Sequence, residues 1–245
     1  MIRFLKKAWE KVSRLDKFVL DDISDTDNRI LQGVKEFTMT SPERIYSILE
    51  AVRYVMSNNV PGSIVECGVW RGGTMMAAAQ ILRLHKRFDK DLYLFDTFEG
   101  MPSPTNDDID FRGRDAKKNF LAKKRTDHSS DWCYATLGEV QTNLETIGYA
   151  KNKIHYIVGM VEDTIPGQAP EQISILRLDT DWYESTKHEL VHLYPRLVKG
   201  GVLIIDDYGH WQGARKAVDE YFRDSGIQIL LNRIDYSGRM AVKLT

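Results

Sequence analysis

Cysteine is scarce in this chain: among 245 residues only Cys67 and Cys133 carry thiols, and no CxxC pair occurs. That excludes a disulfide framework and argues against a zinc–thiolate centre. It leads to the expectation of a reducing, cytoplasmic setting. Long apolar runs are lacking too. No uninterrupted stretch approaches the roughly 18 residues that span a bilayer, and no cleavable signal peptide is read. Charge of one sign is not in excess, since 34 Lys and Arg face 35 Asp and Glu, for a formal net charge of −1. Nothing therefore drives the chain toward nucleic acid, and no such partner is expected. Internal repeats and low-complexity tracts are absent. What is present is enough apolar material, 42% of residues, to bury the core of one large domain or of a domain with a cap.

The first twenty residues, MIRFLKKAWEKVSRLDKFVL, place Ile2, Leu5, Trp9, Val12, Leu15 and Val19 at helical steps. Six basic residues stand there against Glu10 and Asp16. A basic amphipathic helix suits an acidic membrane surface; packing against the body of the protein or a second subunit is the expected alternative, and makes a homo-oligomer plausible. A further helix is predicted from Ser41, a good N-cap, and Pro42, suited to the first turn, with Ile45, Ile48, Leu49, Val52, Val55 and Met56 on its apolar face. Beyond residue 60, strand patterns at 63–66, 91–95, 153–158, 173–178, 202–205, 227–231 and 240–244 alternate with helical patterns at 74–88, 137–147, 184–198 and 214–224. Such alternation predicts an α/β fold with a mainly parallel seven-stranded sheet covered on both faces. The last two strands are joined by NRIDYSGR, too short for a crossover, so they form an antiparallel hairpin. The chain thus divides into an N-terminal helical cap, residues 1–60, and an α/β domain, 61–245. Residues 100–135 break the rhythm, being polar and interrupted by Pro102 and Pro104. A segment this long after the second strand reads as a lid over the ligand edge.

Open parallel sheets bind ligands beyond the carboxyl ends of their strands. The first strand ends VECGVWRGGT. Gly68, Gly72 and Gly73 make a tight turn, and a helix opening near Thr74 offers free N–H groups to an anion. The spacing is neither that of a dinucleotide fingerprint nor that of a P-loop. Glu66 is suited to an ammonium group. Asp96, ending the second strand, is placed to accept from ribose hydroxyls. The turn and this acid together point to a nucleoside-like cofactor. The fourth strand ends in Asp179 and Asp181, the fifth in Asp206 and Asp207. Carboxylates gathered at one edge repel unless paired, and a hard divalent cation such as magnesium relieves that conflict; salt bridges to Arg177, Lys199 or Arg215 are the competing reading. Residues two apart share a face if strand geometry persists, which would aim both Asp179 and Asp181 at the site. Asp179 is then the better metal ligand and Asp181 the candidate general base. His210 is a weaker candidate base. Trp182, Tyr183, Tyr208 and Trp211 surround the acids and suit either sugar stacking or packing.

The blocks FTMTSPER, VECGVWRGGT, LYLFDTFEGMP, VGMVEDTIP, LRLDTDWYEST and GGVLIIDDYGHWQGARKAVDEYF, in that order from Phe37 to Phe222, resemble the macrocin O-methyltransferase family of S-adenosylmethionine- and magnesium-dependent sugar O-methyltransferases. The resemblance implies a class I methyltransferase (Rossmann-like) fold. It implies cofactor contacts by Thr38, Met39, Glu66, Gly68, Gly72, Thr74, Asp96 and Gly159, magnesium held by Asp179, Asp206 and Asp207, and Asp181 as base. The acceptor would be a sugar-containing small molecule. A catechol-like phenol methyltransferase and a non-catalytic cofactor-binding partner are the alternatives.

Overall fold

The structure, a computed structural model, describes residues 18–126 and 128–244. The amphipathic helix expected over residues 1–20 falls almost wholly outside them. Two helices precede the sheet. α1, Asp25–Val34, begins where the Ser24 side chain accepts from the Asp27 amide. It had no counterpart in the sequence reading, because only one heptad's worth of apolar residues marks it. α2, Pro42–Ser57, starts as expected, with Ser41 accepting from the Arg44 amide.

The strands are β1 (Ser63–Cys67), β2 (Leu92–Asp96), β3 (Ile154–Val158), β4 (Ile173–Leu178), β5 (Leu197–Ile205), β6 (Asn232–Arg233) and β7 (Arg239–Val242). The helices between them are α3 (Gly73–Leu84), α4 (Ala116–Lys123), α5 (Leu137–Glu145), α6 (Val161–Thr164), α7 (Tyr183–Leu193) and α8 (Gln212–Ser225). The sheet order is β3-β2-β1-β4-β5-β7-β6. β3, β2, β1, β4 and β5 are parallel, and β7 and β6 close the edge as an antiparallel hairpin. Strand alternation divides the interior. Ile64, Ile175 and Ile204 face a layer made with α1, α2 and α3; Val65, Leu176 and Leu203 face a layer made with α7 and α8. β4 is buried at every residue, as expected for the central strand of a doubly covered sheet. From β1 the chain winds outward to β2, and from β4 it winds the other way to β5. The order therefore reverses between β1 and β4, and a crevice opens beyond their ends.

Parts of the sequence reading differ from the structure. Residues 227–231 are not a strand. They follow the left-handed C-cap Gly226, and Ile227, Ile229 and Leu231 lean on the core while Leu230 stays 76% exposed; the alternation is real, but ladder pairing starts only at Asn232. The predicted helix 184–198 stops at Leu193, because Pro195 turns the chain. β5 then begins at Leu197, which pairs with Ile173. Residues 100–135 are not structureless. They hold α4 and are fastened to the body: the Tyr183 amide donates to Asp108 Oδ1 at 2.8 Å, Trp182 Nε1 donates to the Pro102 carbonyl at 3.1 Å, and the Gln212 amide donates to the Ile109 carbonyl at 2.8 Å. Asp108 thereby caps the buried start of α7, a long-range cap that no local pattern announces.

Candidate active site

A cavity of about 500 Å3 opens at the crevice, walled by the β1, β2, β4 and β5 ends, by residues 37–40, and by lid residues from Gly100 to Thr105 with Trp132 and Cys133. Gly68 makes the crevice possible. Its φ is +80°, and a Cβ there would lie 2.1 Å from the Asp179 carbonyl oxygen. Only glycine lets the β1 turn and the end of β4 approach so closely. Asp96 holds the rest of the turn: its Oδ2 accepts from the Val69 and Trp70 amides at 2.7 and 3.2 Å, its Oδ1 from the Phe98 amide at 2.8 Å. Burial pushes Asp96 up, and those three amides pull it back. α3 begins at Gly73 with no side-chain cap, so its first amides remain available to a ligand.

Of the residues expected to meet a cofactor, Thr38, Met39, Gly68, Thr74, Asp96 and Gly159 line the cavity. Met39 is 58% exposed. Glu66 and Gly72 stand behind the wall. Gly72 packs toward Leu144. Glu66 is buried, with Oε1 accepting from Arg177 Nη1 at 2.5 Å and Oε2 without a partner; burial pushes it up to about 7. Its charge is answered by a guanidinium rather than by the open cavity.

All four strand-end acids, Asp179, Asp181, Asp206 and Asp207, line the cavity, as does His210. Two acids are tied down by cations. Arg177 is buried on β4; its Nη1 also donates to Asp179 Oδ2 at 2.7 Å, and its Nη2 donates to Asp206 Oδ1. Arg44, from α2, donates to Asp206 Oδ2, and its Nε lies 3.0 Å from Asp235 Oδ2. Burial raises Asp206, but Arg177 and Arg44 outweigh it and hold the carboxyl below its ordinary value. The others go the opposite way. Burial, followed by the charges of Asp181 and Asp206, pushes Asp207 far up, and its Oδ2 is buried without a partner. Burial also pushes Asp179 well up, despite Arg177. Burial and the charges of Asp179 and Asp206 push Asp181 up to about 7, against a hydrogen bond shared with Asp207. Among the described residues, one acid trio converges with its oxygens within 4.8 Å: Asp179, Asp181 and Asp207. Asp206 is not in that trio, and both of its oxygens accept from arginines.

Asp181 does not reach the site by strand alternation. β4 ends at Leu178, and Asp181 has φ +68°. The Trp182 amide donates to the Thr180 carbonyl at 2.8 Å. This is a γ-turn with positive φ, an uncommon and strained conformation for a residue with a side chain, and it is what swings Asp181 back toward Asp207. His210 Nδ1 lies 2.9 Å from the Tyr236 hydroxyl. Burial lowers it below the ordinary imidazole value, which leaves it neutral near pH 7.

The sequence reading weighed Arg177 as a salt-bridge partner and missed Arg44 in this role, although FTMTSPER contains it. It also missed Trp132, whose ring lies 5.5 Å from Trp182 and 6.1 Å from Trp211. Trp182 and Trp211 are 5.0 Å apart. The three indoles form one apolar wall beside the acids, joining the lid to the starts of α7 and α8.

Six carboxyls, Glu66, Asp179, Asp181, Asp206, Asp207 and Asp235, thus face two guanidinium groups, Arg44 and Arg177. When all are ionised, four negative charges stay uncompensated. This surplus, with the orphaned Asp207 oxygen, fits a hard divalent cation beside a second cationic group.

The reversal of strand order, the glycine turn, and acids on the second, fourth and fifth strand ends define a class I methyltransferase. A solved structure described as the O-methyltransferase NovP matches with a TM-score of 0.75 and 32% identity, covering 85% of this chain and 83% of that one. The model of the family described as Macrocin-O-methyltransferase (TylF) matches residues 15–242, and the chain belongs to that family. It is an O-methyltransferase. Among curated relatives, the 8-demethyl-8-(2,3-dimethoxy-alpha-L-rhamnosyl)-tetracenomycin-C 4'-O-methyltransferase of Streptomyces olivaceus is 32% identical over 228 residues, 91% of this chain and 83% of that protein. The Mycinamicin III 3''-O-methyltransferase of Micromonospora griseorubida is 34% identical over 201 residues, 82% of this chain and 76% of that protein. Among the described residues, no helix is long and apolar enough to cross a membrane.

Proposed function

We propose that this enzyme transfers the methyl group of S-adenosylmethionine to a hydroxyl of a sugar-containing small molecule, with a magnesium ion bound at the strand-end acids. The observation that carries the reading is the surplus of negative charge at the β4 and β5 ends, beside a cavity that continues past Asp96 to the glycine turn. The names of the tetracenomycin and mycinamicin relatives support a sugar or natural-product acceptor.

S-adenosylmethionine supplies an electrophilic methyl on a sulfonium. A bound magnesium ion supplies Lewis acidity that lowers the pKa of an acceptor hydroxyl. The chain does the rest. The first amides of α3 and residues 38–39 would hold the methionine end, and Asp96 Oδ1 has lone-pair capacity left for a ribose hydroxyl. Asp179, Asp206 and Asp207 would hold the cation, and Asp181 would take the acceptor proton on its carboxylate. The lid and the three indoles exclude water and orient the acceptor, which is the larger part of catalysis when two bound reactants meet in line. A second division of labour is favoured by one observation, the convergence of Asp181 with Asp179 and Asp207. In it Asp181 is a ligand, and Asp206 stays the counter-ion of Arg44 and Arg177.

Incubation with labelled S-adenosylmethionine and a panel of glycosides is expected to give label in sugar acceptors, raised by magnesium and abolished by EDTA. Absence of S-adenosylmethionine binding in calorimetry would end the proposal.

The acids give a second expectation. Asp181 and Glu66, each pushed up to about 7, hold protons in the fold that the unfolded chain releases near pH 4. Their contribution to stability is full below that value and is lost as pH rises toward 7. A divalent cation competes with those protons. Added magnesium or manganese is therefore expected to raise the melting temperature more at pH 8 than at pH 5.5. Equal shifts at both pH values would mean that the ion binds elsewhere.

A further inference from the structure

Glu189 is a carboxyl buried behind the site that the proposed chemistry leaves unused. It lies on α7 with no exposed surface. Its Oε1 accepts from the Thr180 hydroxyl at 2.9 Å, and its Oε2 is buried without a partner. Cys67 ends β1, and its carbonyl accepts from the Asp179 amide at 2.9 Å. One buried side chain on α7 thus holds the turn after β4 from behind.

What it holds is strained. Thr180 supplies the carbonyl that closes the γ-turn at Asp181, whose φ is +68°. A residue with a side chain stays in such a conformation only where its surroundings over-determine it. Trp182 closes the turn from one side, with its indole bonded to Pro102. Thr180 closes it from the other, and Glu189 is the partner of its side chain. The stretch HELVH, residues 188–192, has the letters of a two-histidine zinc helix. Its geometry serves a different end. Glu189 turns into the core, away from any shared face with the histidines, and His188 Nε2 lies 3.0 Å from the Ile165 carbonyl.

We propose that Glu189 is a positioning residue, which acts through the Thr180 hydroxyl to hold the γ-turn that presents Asp181 beside Asp179 and Asp207. This rests on the methyl-transfer reading for its kinetic consequence, but not for its structural one. Burial pushes the Glu189 carboxyl well up, and glutamine reproduces both its shape and its acceptor oxygen. With the clamp removed, the turn relaxes toward ordinary dihedrals and Asp181 leaves its place. Displacement of a reacting group by about 1 Å costs up to roughly 100-fold in rate.

The test uses the full chain with Glu189→Gln, Glu189→Ala, Thr180→Val and the double variant Glu189→Ala/Thr180→Val. Two readouts are taken: kcat with KM for S-adenosylmethionine, and hydrogen-exchange protection of the Trp182 amide. Glu189→Ala and Thr180→Val are each expected to lower kcat about tenfold or more with KM unchanged. Glu189→Gln should stay within about twofold of the parent. The double variant should be no worse than the poorer single variant, because both changes break one clamp. Losses that multiply, a Glu189→Gln variant as slow as Glu189→Ala, or a Thr180→Val variant at full rate would each overturn the proposal. If the parent transfers no methyl group, the methyl-transfer reading fails by itself. Exchange at the Trp182 amide still decides the clamp: faster in Glu189→Ala and Thr180→Val but not in Glu189→Gln supports it, and unchanged exchange overturns it. Should Glu189→Ala fail to fold, Thr180→Val against Glu189→Gln carries the same decision.

Discussion

Asp181→Asn is expected to lower kcat by about 10²–10⁴-fold, the usual worth of a positioned acid or base, while S-adenosylmethionine binds as in the parent. The substitution keeps size and hydrogen bonding but removes the negative charge and most of the basicity. Asparagine also tolerates positive φ at least as well as aspartate, so the turn at φ +68° should survive and the loss is chemical. A variant within a few-fold of the parent kcat would remove Asp181 from the reaction. Manganese titration of the same variant then separates the two divisions of labour. Parent-like affinity makes Asp181 the base, with Asp206 in the cation site, and Asp206→Asn should then weaken the ion. A large loss of affinity makes Asp181 a ligand, as its convergence with Asp179 and Asp207 favours. The carboxyl is already poised, since burial pushes it up to about 7, where a base serves best near neutral pH.

Arg177→Met should cost the fold about 3–5 kcal/mol, because removing one member of a buried ion network leaves its partners' charges uncompensated. Three carboxyls depend on this guanidinium: Glu66, Asp179 and Asp206. Methionine fills the space of the stem but answers none of them. Folded domains hold only about 5–15 kcal/mol in all, and at this chain length the melting temperature should fall by about 6–20 °C. Thermal denaturation reads it directly. A fall below about 2 °C would mean that the three acids are not held ionised together. The expected size also explains why Arg177 is buried at all. It anchors the acids at the ends of β1, β4 and β5 before any ligand arrives, and so keeps their mutual repulsion from opening the sheet edge.

How far the site was legible in the chain differs from residue to residue. Ile173 to Leu178 reads as a central strand because six consecutive apolar-dominated positions exclude solvent on both faces, and it is one. Asp179, Asp206, Asp207 and Asp96 were legible as strand-end acids because a doubly wound sheet collects such ends at one edge. Asp181 was legible by type but not by route. Alternation along a strand pointed it inward, whereas a γ-turn does so, and positive φ at a non-glycine residue leaves no mark in composition. Arg44 was invisible as a site residue because its partner lies 162 positions away. Asp108, read as one more polar residue of a lid, caps α7 from 75 positions away.

Residue pattern alone settled the fold class, the sheet edge that carries function and the chemical character of the acids there. Those follow from local periodicity and from the topology that periodicity forces. Tertiary structure alone decided which acids are paired with arginines and which are not. Arg177 and Arg44 take Asp206, while Asp207 keeps a buried oxygen without a partner. The physical reason is that charge compensation acts through space over a few ångströms, between side chains that the sequence sets far apart.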